Sequence, residues 1–126
     1  MNHLIGLTFF SVMSMFIYAD DKIQFPGEIE HWQSCANQVE QHQSFLGDCD
    51  EFALTAIELL DRKGFPRNQM FICTCQTEQG ENHLVGIVDG QLMDSRMRQL
   101  WAWDEVGYTY ESCMAMDNVG TWRKIK

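Results

Sequence analysis

The chain has 126 residues, 45% of them hydrophobic and 12% aromatic, with 9 Lys+Arg against 18 Asp+Glu for a net charge of −9. That is room for one domain with a filled core, which excludes bulk disorder, and the acidic balance speaks against nucleic-acid or anionic-membrane partners that need a basic patch. No period repeats and only two prolines occur, so repeat and collagen-like classes are excluded as well.

Residues 1–19 contain no Lys, Arg, Asp or Glu, and residues 4–18 form an almost unbroken apolar run. The run is shorter than the about 20 residues of a bilayer span and suits the hydrophobic region of a signal peptide. Ile17-Tyr18-Ala19 offers a cleavage site, although only the amino terminus and His3 supply positive charge at the front. Residues 1–19 are expected to be a cleaved signal peptide; a retained membrane anchor or a buried N-terminal element are the alternatives. Residues 20–126 are expected to form a single domain. Export to the periplasm or the medium is the favoured localisation, and a membrane partner follows only if residues 4–18 stay as an anchor.

Phe25-Pro26-Gly27 breaks the chain, after which Ile29, Trp32, Ala36 and Val39 recur at helical spacing. The pattern predicts a helix over 28–43. Next comes the sharpest local signal, Gly47-Asp48-Cys49-Asp50-Glu51-Phe52-Ala53-Leu54. Asp48 is a good N-cap, and Glu51 three residues on completes an acidic capping box. Cys49, Phe52, Ala53, Ala56, Ile57 and Leu60 then run down one helix face, and Lys63-Gly64 followed by Pro66 stops it.

Beyond Pro66 the period changes to two. Strands are expected over 70–76, 82–88, 91–94 and 108–116, with Asp89-Gly90 as a two-residue turn; Trp122 is a candidate pin for the tail, and residues 100–104 carry no assignable pattern. A two-residue turn pairs Val88 with Gln91 and Ile87 with Leu92, and so Val85 with Asp94. Cross-strand partners share a face, so Asp94 becomes the diagonal neighbour of His83, about 7 to 8 Å away at the backbone and within reach of a carboxylate–imidazole bond. The polar loop 77–81 likewise sets Cys75 opposite His83.

Five cysteines are many for this length: Cys35, Cys49, Cys73, Cys75 and Cys113. In an exported protein disulfides become available, the odd count leaves a thiol over, and the four besides Cys49 allow three pairings among which nothing local chooses. Cys73-Thr74-Cys75 is not a CxxC pair, which disfavours structural zinc.

Cys49 is expected as the first helical residue, beside unpaired backbone N–H groups and the positive end of the helix dipole. That position lowers a thiol pKa and supplies part of an oxyanion hole. A helix-start Cys followed by a strand His and a strand Asp is the constellation of thiol acyl-transfer enzymes. The bland alternative is that Cys49 packs the helix face and His83 is structural.

Gly47-Asp48-Cys49-Asp50-Glu51-Phe52-Ala53, then Asn82-His83-Leu84-Val85, then Leu92-Met93-Asp94 resembles the bacterial transglutaminase-like cysteine peptidases, with spacings of 34 and 11 residues between Cys, His and Asp. The resemblance runs from Trp32 to Trp122. It implies an α+β fold with a papain/transglutaminase-like core, a Cys–His–Asp triad on Cys49, His83 and Asp94, and cleavage of peptide bonds in a protein or peptide substrate outside the cytoplasm. Short members similar to this chain also occur in phage genomes. The acids after Cys49 stand as Asp-Glu where the family more often has Glu-Asp.

Asp48, Asp50 and Glu51 each oppose a thiolate by roughly 1 to 3 kcal/mol at about 6 Å, against about 2 kcal/mol at most from the helix dipole. An imidazolium at His83 or a bound cation would restore the balance. No cofactor is expected for the chemistry itself, but the family implies calcium beside the Cys, with Asp48, Asp50 and Glu51 as hard oxygen ligands; the alternative is that Asp48 and Glu51 only cap the helix. Trp32, Gln33 and Gln43 are candidates for the second oxyanion donor. Two other functions compete: a peptidoglycan amidopeptidase resembling the NlpC/P60 group, and a non-catalytic acidic or calcium-binding module.

Overall fold

The computed structural model describes residues 2–18 and 34–125. Among these, helices α1 (Asn2–Met15), α2 (Ala36–Glu40) and α3 (Cys49–Arg62) accompany a pair of short parallel strands, β1 (Phe16–Tyr18) and β2 (Phe45–Gly47). The main sheet is antiparallel and five-stranded in the order β5-β4-β3-β6-β7, from β3 (Met70–Gln76), β4 (Asn82–Val88), β5 (Gln91–Met93), β6 (Thr109–Ala115) and β7 (Arg123–Lys124). The fold class is the α+β arrangement expected.

The α3 helix follows its sequence pattern. Phe52, Ala53, Ala56, Ile57 and Leu60 are all buried, facing Ile72, Leu84 and Met93 of the sheet in one core. On the other side of α3 lies α1. Within the segment expected as a signal peptide, with an anchor or a buried element as alternatives, residues 2–18 form α1 and β1, and Ile5, Phe9 and Val12 are buried in the same core. Phe52 receives the edges of Phe9 at 5.9 Å and Phe16 at 5.2 Å between ring centroids. Each such contact contributes about 1 kcal/mol beyond area burial. The exposed side of α1 carries Leu7 and Phe10 beside His3, Ser11 and Ser14, so apolar residues stand on both sides and hydropathy alone does not reveal which turns inward. No helix among the described residues is long and apolar enough to cross a membrane.

The hairpin that matters for the site also has its expected register. Val88 pairs with Gln91 and Ile87 with Leu92 across Asp89-Gly90, whose φ values of 49° and 76° are the left-handed pair that a two-residue turn requires. Cys75 pairs with His83. The 100–104 stretch runs along the outer edge of β5, where Leu92 N donates to Trp101 O at 2.8 Å and Trp103 N to Gly90 O at 3.0 Å.

One expectation is revised. The helix predicted over 28–43 is confined, among the described residues, to Ala36–Glu40, because His42 takes φ 57° and turns the chain toward β2; residues 28–33 lie outside the described residues. Trp122, the candidate pin for the tail, is 38% exposed, and β7 directly after it pairs with β6. Of the bonds open to Cys35, Cys73, Cys75 and Cys113, Cys73–Cys113 alone forms among the described residues, because β3 and β6 set the two cysteines directly opposite. Cys35, Cys49 and Cys75 remain thiols.

Candidate active site

Strand β2 delivers the chain into α3 through Gly47 and Asp48. The Asp48 side chain accepts from Asp50 N at 3.0 Å, and Glu51 Oε1 accepts from Asp48 N at 3.0 Å, completing the capping box. Glu51 is 2% exposed and lies under Gly47, where an added Cβ would come within 2.5 Å of Glu51 Cβ. The Gly47-Asp48-Cys49 segment therefore has a steric reason. Glycine lets Glu51 fold back against the strand and lock the start of the helix, and that lock places Cys49 at its first turn.

Cys49 lines a cleft of about 440 Å³ with Tyr18, Asp48, Asn82, His83 and Arg96. His83 reaches this cleft from β4 and Arg96 from the segment after β5. The His83 Nε2 and Asp94 Oδ1 atoms lie 2.7 Å apart. Asp94 is fully buried and accepts two further hydrogen bonds, from Arg96 N to Oδ1 at 3.0 Å and from the Tyr108 hydroxyl to Oδ2 at 2.5 Å. With Nε2 committed to Asp94, Nδ1 is the ring nitrogen left for proton transfer in the cleft. The structure thus brings Cys49, His83 and Asp94 to one locality.

Electrostatics divide the site into two halves. At Asp94, burial pushes the carboxyl up. The bond and charge of His83, with the Arg96 N–H and the Tyr108 hydroxyl, outweigh it and hold the group below the ordinary aspartate range. At Cys49 the balance runs the other way. Burial raises the thiol, the Asp50 and Asp48 carboxylates raise it further, and the Leu84 backbone N–H directed at the sulfur only partly opposes them. The Cys49 thiol also donates to Asp50 Oδ1 at 3.4 Å. It is therefore a neutral thiol in this arrangement, as the acids around it lead one to expect.

Of the three acids read as calcium ligands, Asp48 and Asp50 converge. One ligand atom from each of Asp48, Cys49 and Asp50 lies within 4.8 Å of the others. Glu51 is excluded from that group, since its carboxylate turns inward to cap Asp48. Among the oxyanion candidates, Gln43 is exposed and absent from the cleft lining, while Trp32 and Gln33 lie outside the described residues. Tyr108 and Arg96 carry no motif, and sequence reasoning missed both. Tyr108 reads only as the opening of a strand, and nothing local announces that it meets Asp94.

A family model described as bacterial transglutaminase-like cysteine proteinase matches residues 14–126. No curated protein matches the chain by sequence. Among solved structures, EGTA-treated LapG of Legionella pneumophila is similar with a TM-score of 0.75 at 16% identity, covering 99% of this chain and 67% of LapG. Calcium-bound LapG gives 0.74 at 17% identity, covering 98% and 68%, and a further LapG structure gives 0.69 at 17%, covering 99% and 74%. The fold is LapG's transglutaminase-like fold, and a match of this extent takes in α1.

Proposed function

We propose that Cys49, His83 and Asp94 are the catalytic groups of this chain, which belongs to the bacterial transglutaminase-like cysteine proteinases and is a cysteine peptidase. The reaction would be hydrolysis of a peptide bond in a protein substrate through an acyl-thioester. The observation that carries this reading is the buried His83–Asp94 bond opening on the same cleft as a cysteine at a capped helix start. Cys49 Sγ attacks the carbonyl carbon while His83 accepts the thiol proton. The backbone N–H of Cys49 helps hold the oxyanion. His83 then returns the proton to the leaving amine, and water, deprotonated by His83, releases the acyl group and restores the thiol. Asp94 orients the ring and stabilises the imidazolium that forms at each proton transfer.

The neutral thiol is the step that needs help, and the convergence of Asp48 and Asp50 beside it supports calcium in that role. Both carboxylates are hard oxygen donors. A divalent cation held by them would offset the two charges that raise the thiol. LapG has been seen both calcium-bound and EGTA-treated, which supports testing this chain for the same dependence.

Localisation outside the cytoplasm is supported by the Cys73–Cys113 disulfide, which persists in oxidising compartments. The packing of α1 against Phe52 supports retention of residues 2–18 in the folded enzyme rather than their removal.

The test is limiting iodoacetamide on the purified protein, with calcium or chelator, and peptide mapping of the label. Labelling of Cys49 far faster than an ordinary thiol, lost in His83→Ala, supports the assignment. Labelling at the ordinary rate under both conditions refutes it.

A further inference from the structure

We propose that Tyr108 is a positioning residue for the His83–Asp94 pair, held in place by Arg96; the inference rests on His83 being the proton shuttle. A buried carboxylate bonded through one oxygen can still turn about its last torsion and present either oxygen. Asp94 has no such freedom. His83 Nε2 and Arg96 N occupy Oδ1 at 2.7 and 3.0 Å, and the Tyr108 hydroxyl occupies Oδ2 at 2.5 Å. The same phenol meets the His83 ring edge-on, with centroids 5.6 Å apart and planes at 79°. One side chain therefore contacts both members of the pair.

Arg96 closes the arrangement from outside. Its Nη1 donates to the Tyr108 oxygen at 3.2 Å, its guanidinium carbon lies 5.7 Å from the centroid of the Tyr108 ring, and its Nη2 reaches Glu78 Oε1 at 3.2 Å. With its phenol oxygen taken by Arg96 as acceptor, Tyr108 has its proton left for Asp94. Burial and the Asp94 charge both raise the phenol, so it stays protonated and remains a donor. Phenylalanine would fill the same space but would leave Oδ2 buried without that donor.

Among the described residues, the titratable and charged groups facing Asp94 are His83 from β4, Cys75 from β3, Tyr108 just before β6, Tyr110 within it, and Arg96, with Glu78 behind Arg96. Cys75 and Tyr110 are both neutral at neutral pH, the thiol pushed up to about 12 by burial and by Asp94 itself. Besides His83, Tyr108 is thus the side chain whose hydrogen bond keeps Asp94 ionised.

The experiment uses full-length protein carrying Tyr108→Phe, with Tyr110→Phe as control, since the Tyr110 hydroxyl donates instead to Trp103 O at 2.8 Å. Two readouts are taken: the iodoacetamide rate at Cys49 with calcium present, and the proton resonance of the His83 ring N–H. In Tyr108→Phe the Cys49 rate should fall by about 10-fold. On acidification, the pH at which the downfield N–H resonance disappears should move up, because Asp94 protonates earlier. A merely structural role would lower the melting temperature and leave that pH unmoved. Both readouts equal to wild type would overturn the inference. An upward shift of that pH, with wild-type Cys49 labelling no faster than an ordinary thiol, would uphold the positioning role and refute the nucleophile assignment instead. Should Tyr108→Phe not fold, Arg96→Gln keeps the backbone N–H on Asp94 while removing the guanidinium, and the same two readouts decide.

Discussion

His83 and Asp94 are 11 residues apart in the chain and 2.7 Å apart in space, brought together by the Asp89-Gly90 turn and the register it imposes on β4 and β5. The bond joins two side chains that are both buried, so Asp94 has no access to water as a substitute partner. Replacing it with Asn keeps the shape and removes the charge that stabilises an imidazolium. Asp94→Asn is expected to lose about 100-fold or more in turnover with a modest change in KM, measured by steady-state kinetics once a substrate is in hand, or by the rate at Cys49 before then.

The same carboxylate ties stability to pH. Its folded value lies below the ordinary one, so its contribution is fully present above about pH 3.9 and is lost as pH falls through the folded value. Acid titration of unfolding by circular dichroism should show a steeper loss below that point in wild type than in Asp94→Asn. Equal slopes would mean that Asp94 is not the linked group.

Asp50 holds the thiol back. Its carboxylate accepts from the Cys49 thiol and raises it by charge. Without calcium, Asp50→Asn should label at Cys49 several-fold faster than wild type at pH 7, because a neutral amide lets thiolate form at lower pH. The variant should also respond less to added calcium. A slower or unchanged rate would show that burial alone sets the thiol.

Gly47 has no room for a side chain above Glu51. In Gly47→Ala the new methyl would lie 2.5 Å from Glu51 Cβ, which is the base of the capping side chain and not its flexible end. A loss of about 1 to 3 kcal/mol is expected in urea unfolding.

The packing of α1 gives a further contrast. Phe9 is 0% exposed against Phe52, whereas its neighbour Phe10 is 54% exposed. Phe9→Ala should cost about 3 to 5 kcal/mol, and Phe10→Ser much less, in thermal melts of the purified protein. If both melt as wild type, residues 1–19 have been removed from the mature enzyme.

What the sequence determined by itself was local. The capping box at Asp48 and Glu51 and the turn at Asp89-Gly90 depend on residues within a few positions of one another, so the position of Cys49 at a helix start and the face shared by His83 and Asp94 could both be read in advance. The sequence also held the charges that oppose the Cys49 thiolate, since Asp48 and Asp50 flank it. Tertiary structure alone decided whatever rests on contacts between distant segments. The β3–β6 pairing chose Cys73–Cys113 among the bonds that the four cysteines besides Cys49 could form. The core chose the face of α1 that carries Ile5, Phe9 and Val12 and left Leu7 and Phe10 outside, a choice that the apolar run by itself did not make. Tyr108 and Arg96 met at Asp94 because β6 lies beside β3 while Arg96 follows β5, a convergence that no spacing in the chain announces.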